Sequence, residues 1–481
     1  MLSTFSLLPT GRCGRLTLLV GLLFPALIIL TFWYGMNSDR DNIPPVLTQL
    51  IPAGHAACQS DTIFECSSCL EQTLSSNTTT PGPSTWTFTY PNDAQNEGLS
   101  TSQCEAAFPG LFEDINQAVF HWKTVGNITK STLDLIPLQN GMTRAMLHSG
   151  NLYILALKSK AEDHRRKTLA ALSAMHRALV AAGPERSSIP DIDFIFSIED
   201  KASDIVSSPS TSSPALWVLA RKASEKSLFL LPDFGFWAWD NIISSPTSKS
   251  EENTDTNNQI GTYDEVVTSA LSLESSLPFA AKTPQLVWRG KLSFAPKLRR
   301  ALLDASRSKP WSDIKELNWQ LQKNYLSLPA HCSYKFIAHV EGRSYSASLK
   351  YRQACTSVIF IHKLQYMQHH HYLLVSSGPQ QNYVQVERDF SDLEFKVEEL
   401  LANPEKAEMI ARNSVRTFRE RYLTQAAEAC YWRALWRGYG SVAEPARAWR
   451  KGVTGEQVRR GMRYETFVLL SSQEMLDFEA D

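Results

Sequence analysis

Residues 16 to 34, LTLLVGLLFPALIILTFWY, form an uncharged apolar run. Coiled as a helix at roughly 1.5 Å per residue, such a run is just long enough for a hydrocarbon core of about 30 Å. Arg12 and Arg15 precede it and no acid does, so the positive-inside bias keeps residues 1–15 cytosolic and sends the rest of the chain across. Trp33 and Tyr34 then sit at the far interface. The rival reading, a cleavable signal peptide, needs a shorter apolar core and small residues at the cut, and FWYGM is a poor cleavage site. The expectation is a single-pass signal anchor of the Golgi or endoplasmic reticulum membrane, with everything beyond residue 34 luminal.

Two sequons, at Asn77 and Asn127, become usable on the luminal side. Cys58, Cys66, Cys69, Cys104, Cys332, Cys355 and Cys430 enter an oxidising compartment, where an odd number leaves at least one unpaired. Cys66-Ser67-Ser68-Cys69 has no second pair to complete a zinc site, so stem disulfides are the better reading. The run His369-His370-His371 cannot aim three adjacent side chains at one ion from a regular element, and reads as a polar loop or helix face. No metal site is expected. With 48 Lys and Arg against 49 Asp and Glu, no basic field exists to hold nucleic acid.

Residues 35–115 are rich in Pro, Ser, Thr, Asn and Gly and read as a stem. From 151 to 182 apolar positions recur at helical spacing and stop at Gly183-Pro184. DFIFSI, ALWVLA and Ser227 to Leu231 read as short strands. Residues 244–261 are a polar low-complexity insertion. QLVW, FIAHV and Thr356 to His362 read as further strands alternating with helices, as in parallel α/β layers, and two amphipathic helices follow between Asp389 and Tyr422. The implied bodies are 116–275 and 276–445, with a tail at 446–481 that carries no legible chemistry.

Two strand ends run into a glycine turn, basic side chains and a helix: Trp288-Arg289-Gly290-Lys291, and Glu341-Gly342-Arg343-Ser344-Tyr345-Ser346 leading to Lys350. Glycine lets backbone approach a phosphate, a helix start favours an anion, and Arg or Lys adds charge. Either turn alone is equally an ordinary tight turn with a Ser cap. Glu199 and Asp200 follow the strand DFIFSI, where α/β sheets expose side chains to a crevice, and suit a general base or a solvated acidic loop. Asp191-Ile192-Asp193 matches a loose metal-binding Asp-x-Asp pattern but precedes the strand, and reads as a chance match.

Together PDIDFIFSIED, LPDFGFWAWDN, LVWRGK, KFIAHVEGRSYSASLKYRQACTSVIFIHKLQ, GPQQNYVQVERDFSDLE and RYLTQAAEACYWR resemble the fungal capsule-associated glycosyltransferases of family 90, relatives of the Rumi-type protein O-glucosyltransferases. The resemblance implies a GT-B fold of two Rossmann-like domains facing a cleft. It further implies an inverting, metal-free transfer from a UDP-sugar such as UDP-xylose or UDP-glucose to a hydroxyl on a glycan or glycoprotein. It makes Asp200 the base, and Arg289, Gly290, Lys291, Glu341, Gly342, Ser344, Tyr345, Ser346 and Lys350 the donor side. Asp233, Phe236, Trp237 and Trp239 fall on the acceptor side. No cofactor beyond the donor is implied. Where the relatives carry an arginine facing the diphosphate, this chain has Ser348, a loss worth on the order of 2–4 kcal/mol unless Arg343 or Lys350 substitutes. The alternative expectation is therefore a weak or inactive relative serving as a membrane-anchored glycan-binding or scaffold module.

Overall fold

A computed structural model of the chain describes residues 86–159, 162–201, 214–237, 261–318, 323–470 and 477–479. The apolar run 16–34, the stem to residue 85, the insertion core 244–260 and Trp239 lie outside them. Among the described residues no helix is long and apolar enough to cross a membrane. Asn127 is exposed.

Helices α1 (Thr101–Ala107), α2 (Glu113–Val125) and α3 (Lys130–Asp134) lead into a hairpin, β1 (Met142–His148) and β2 (Asn151–Lys158). Its two-residue turn, Ser149-Gly150, has positive φ at both positions, +48° and +66°, the geometry that matches the twist of paired strands. The helix expected over 151–182 therefore begins only at α4 (Glu162–Ala181). NLYILALK is a strand because the tight turn folds it onto β1, where it is buried on both faces. β3 (Ile192–Ser197), fully buried, pairs antiparallel with β1, and β4 (Leu216–Val218) extends the sheet in parallel. β5 (Arg221–Lys222) turns away, and β6 (Phe229–Leu230) pairs parallel with β4. The first lobe is thus a mixed sheet, parallel only from β3 through β6.

The second lobe is parallel throughout. After α5 (Tyr263–Ser275) come β7 (Thr283–Gly290), α6 (Pro296–Ala305), β8 (Ser312–Glu316), β9 (Tyr334–His339), α7 (Ser348–Arg352) and β10 (Val358–His362). β11 (Tyr366–Met367) crosses to pair with β5, and β12 (Val384–Val386), α8 (Leu393–Ala402) and α9 (Pro404–Thr417) complete the lobe. The strand order is β12-β10-β9-β7-β8. Pro404 opens α9, where its missing N–H costs nothing.

A π turn, Phe418–Tyr422, then sends the chain back to the first lobe. α10 (Gln425–Gly440) packs into that lobe's core through Tyr431, Trp432, Trp436 and Tyr439, and a disulfide joins its Cys430 to Cys104 of α1. The tail adds the hairpin β13 (Trp449–Lys451) and β14 (Gln457–Arg459), β15 (Met462–Arg463), α11 (Tyr464–Leu470) and β16 (Asp477–Glu479). β15 and β16 both pair with β2. A second disulfide, Cys332–Cys355, ties the approach to β9 to the end of the α7 turn.

Candidate active site

β7 and β9 are neighbours, yet their connections leave in opposite directions, β7 towards β8 and β9 towards β10. Such a switch of direction opens a crevice beyond the strands' carboxyl ends, the usual ligand position in open parallel sheets. The two turns singled out in the sequence emerge there side by side. Arg299 on α6 clasps them, donating from Nη1 to the Lys291 carbonyl at 2.5 Å and from Nε to the Glu341 carbonyl at 3.1 Å. Gly342 keeps the second turn close: a Cβ there would lie 3.1 Å from the Tyr345 carbonyl and 3.5 Å from Arg299 Nη2.

Arg299 is only 5% exposed, and among the described residues no carboxylate lies within ion-pair distance. Burial pulls its pKa down to about 10. Arg352, at the end of α7, is equally buried, donates to His339 Nδ1 at 3.2 Å, and is pulled to about 9 by burial and by Arg299. Two buried guanidiniums without an acid are costly unless an anion completes them. Neither was singled out from the sequence. Arg299 could have been: Ala295, Leu298, Arg299 and Leu302 share one helical stripe at i, i+3, i+4, i+7, and a cation on a core-facing stripe needs a reason.

The other predicted donor-side residues occupy varied positions. Arg289 turns towards β8, bonding the Asp313 carbonyl at 2.5 Å and carboxylate at 2.7 Å. Glu341 is buried, its Oε1 accepting from the backbone of Gln365 and Tyr366 at 2.8 Å each and its Oε2 from Arg388 at 2.7 Å. It thereby fixes the loop that carries β11. Ser346 and Ser348 share a hydroxyl contact of 2.9 Å at the start of α7.

Lys350 and Tyr345 reach the first lobe. Asp233, 2% exposed, accepts from Lys350 Nζ at 2.7 Å, from the Tyr345 hydroxyl at 2.8 Å and from Gly235 N–H at 2.7 Å. The Tyr351 hydroxyl donates to the Gly235 carbonyl at 2.9 Å. The buried Lys350–Asp233 pair pins the lobes together, with burial lowering the lysine's pKa and Asp233 opposing it. Phe236 and Trp237 follow on the same turn, and Arg177 stacks over the Trp237 ring at 4.0 Å.

Asp200 lies one residue beyond Glu199 past the end of β3, and the Ser344 hydroxyl donates to its carbonyl, so the β9 turn and the candidate base touch. The residue is exposed at the rim, yet enough protein surrounds its carboxyl to raise its pKa. Glu199 and Asp233 push the same way, and Lys167 and Arg343 oppose. Glu199 itself is engaged by His164 Nε2 at 2.7 Å.

The chain matches the family model described as glycosyl transferase family 90 over residues 100–461. The chain belongs to glycosyl transferase family 90. It is also similar to an O-glucosyltransferase, LpsA, of Dichelobacter nodosus, at 28% identity over 178 residues, 35% of this chain. It spans about half (53%) of that relative's length. The match begins at the capping box of α1 and ends just before β15, so both lobes and the switch point fall inside it.

Among the described residues no group of three or more His, Cys, Asp or Glu is placed to hold a metal ion. Asp191 is taken by His148 at 2.6 Å and the Ser149 N–H, and Asp193 by Arg144 and Arg460. His369, His370 and His371 do not form a polar surface: all are buried, His369 against Phe236 and Tyr431, His370 against Phe418 and His371 against His370, and burial drives their pKa down, to about 3 for His369 and His371. Folding β11 across to the first lobe buries them, which their polarity alone does not foretell.

Proposed function

We propose that the protein is an inverting glycosyltransferase of GT-B-like architecture. It moves a sugar, xylose or glucose, from a UDP-sugar to a hydroxyl of a glycan or glycoprotein, without a metal. In this reading residues 16–34 anchor it in the Golgi or endoplasmic reticulum membrane with the described body in the lumen. The observation that carries the proposal is Arg299: a buried cation lacking an acid, clasping both turns of the switch point, with the Asp200 backbone bonded to one of them.

The Asp200 carboxylate takes the acceptor's hydroxyl proton as that oxygen bonds to the anomeric carbon from the face opposite the diphosphate. The bond from the anomeric carbon to the β-phosphate oxygen breaks, and UDP leaves carrying the electron pair. The charge on the departing diphosphate is met by Arg299, with Arg352 and Arg343 nearby. Asp200 sits where the second lobe's turn meets the first, so lobe packing sets the distance between base and donor.

The test is a UDP-sugar panel read by UDP release and product mass, with Asp200→Asn and EDTA arms. Transfer by Asp200→Asn at the wild-type rate would sink the assigned base, and loss of transfer in EDTA would sink metal independence. Ser348 supports a second reading, a module that binds glycans without turnover. Its signature is failure of the wild-type protein to bind UDP, with binding created by Ser348→Arg.

A further inference from the structure

A cavity of about 330 Å³ lies among Tyr90, Phe236, Trp237, Tyr263, Thr268 and Glu428, with further residues of α5, α10 and the π turn completing its wall. None of Asp200, Arg299, Gly342 or Ser344 lines it. Its volume falls at the small end of the roughly 300–1,000 Å³ usual for ligand pockets. Glu428 is 4% exposed. Its Oε1 accepts from Trp432 Nε1 at 3.3 Å, the Trp237 indole lies within reach of the same carboxyl, and Oε2 is buried with no hydrogen bond of good geometry. Tyr263 is 5% exposed and its hydroxyl is likewise buried and unpartnered. Arg419 Nε on the same wall is also buried without a partner. Native interiors leave few such groups unsatisfied, so a cluster of them on one cavity wall asks for a ligand with hydroxyls.

The charges around the cavity narrow the ligand further. Its acids are Glu428 and Asp264, and its one cation, Arg419, is already bonded to the Glu274 carboxylate at 2.8 Å and the Ala354 carbonyl at 2.8 Å. A phosphate or carboxylate would face both acids there and find, as counter-charge, only the Nε of a guanidinium already paired with Glu274. Four aromatic side chains, Tyr90, Phe236, Trp237 and Tyr263, offer apolar ring surface beside the unpartnered polar atoms. Apolar faces with a few placed hydrogen-bonding groups suit a sugar ring, whose C–H faces pack on aromatics while its hydroxyls bond at the edge.

We propose that this cavity binds an uncharged sugar unit of the glycan acceptor, away from the hydroxyl that reacts. The inference rests on the transferase reading for its choice of ligand, though not for the cavity itself. Phe236 and Trp237 stand three and four residues after Asp233, whose carboxylate holds Tyr345 and Lys350 of the second lobe. One turn of chain therefore connects the sugar held here to the pin between the lobes.

The experiment uses full-length protein in a non-glycoside detergent. Maltotetraose, cellotetraose, xylotetraose and mannotetraose are titrated against tryptophan fluorescence and by calorimetry, beside UDP. Thr268→Trp places a bulky ring at the cavity mouth from an exposed position on α5. It is expected to weaken the best tetrasaccharide about tenfold or more and leave UDP binding unchanged, an effect of the size expected for an obstructed hydrogen-bonding site. Glu428→Gln, which keeps a donor and an acceptor, is expected to retain tetrasaccharide binding. Glu428→Leu, checked for folding by its melting curve, is expected to lose it.

Absence of binding by all four tetrasaccharides, binding indifferent to Thr268→Trp, or competition by UDP would each overturn the proposal. Failure of the transferase reading shows differently, as UDP binding that is absent or indifferent to Arg299→Gln while the tetrasaccharide arm stands.

Discussion

Replacing Arg299 by glutamine tests the donor site most directly. In the wild type the guanidinium spends Nη1 and Nε on two backbone carbonyls, leaving Nη2, which faces Gly342, for a ligand. One charge-assisted hydrogen bond to a phosphate oxygen contributes about 1.5–3 kcal/mol. Its loss therefore corresponds to roughly a 10- to 150-fold rise in the Kd for UDP. Glutamine satisfies at most one of the two carbonyls, at a stability cost of about 1–3 kcal/mol. Removing a buried, acid-free cation offsets part of that cost.

The assay is calorimetric titration of UDP into variants whose melting curves show a folded body. Arg299→Lys keeps the charge and loses the fork, and should fall between wild type and Arg299→Gln. Arg289→Gln is the control. Its guanidinium is held by Asp313, whose pKa is pulled down to about 2 by Lys315, Tyr334 and Arg289 hydrogen bonds that outweigh desolvation. Loss of that pair should lower stability near neutral pH, by an amount that shrinks as pH falls from the ordinary Asp range towards 2, and should leave UDP affinity unchanged. If folded Arg299→Gln bound UDP within about twofold of wild type, the claim that the uncompensated cation awaits a diphosphate would be refuted.

Asp233→Asn should destabilise the body by about 3–5 kcal/mol by stranding buried Lys350, and Asp233→Leu with Lys350→Met should recover most of that in a thermal melt. Replacing Cys104 and Cys430 by serine should cost about 2 kcal/mol more than replacing Cys332 and Cys355, because the sequence separations are 326 and 23 residues. Denaturant titration of the two double variants measures the difference. Asp200→Asn should abolish transfer yet raise the melting temperature. Its raised native pKa means the folded state binds more protons than the unfolded chain, so the carboxylate's penalty grows as pH rises above the ordinary Asp value and vanishes below it. Glu428, raised from 4.5 to about 8 chiefly by burial, carries a like penalty of about 3 kcal/mol at pH 7. Wild type should gain stability relative to Glu428→Gln as pH falls from 8 towards 5.

The second lobe was legible because parallel strands buried on both faces read as continuous apolar runs closed by turns, as in QLVW, FIAHV and SVIFIH. β8, SDIKE, escaped notice because it is an edge strand with a polar face. The first lobe was harder, since NLYILALK runs directly into a helical pattern and only the Ser149-Gly150 turn divides them. At the site, the glycine turns were visible as local signals and the switch point that brings them together was not, because it depends on strand order. Glu341, Asp233, Tyr345 and Lys350 are polar residues whose partners lie 24 to 117 positions away, and no local pattern announces such pairs.

These long-range pairs explain how the body tolerates its costly groups. Arg299, Arg352 and the Asp200 carboxyl each oppose folding, through burial without a counter-charge or a raised acid pKa. The two arginines lie near contacts that do the reverse: Glu341 anchors the turn that Arg299 clasps, and Asp233 fixes the helix carrying Arg352 through Lys350. Charges left incomplete in the folded chain mark where binding energy from an anionic ligand becomes available, and rigid partners beside them keep the geometry from relaxing before that ligand arrives. A chain selected for stability alone would place an acid against Arg299. That the fold surrounds it with carbonyls and rings instead argues that the missing acid is supplied by the ligand.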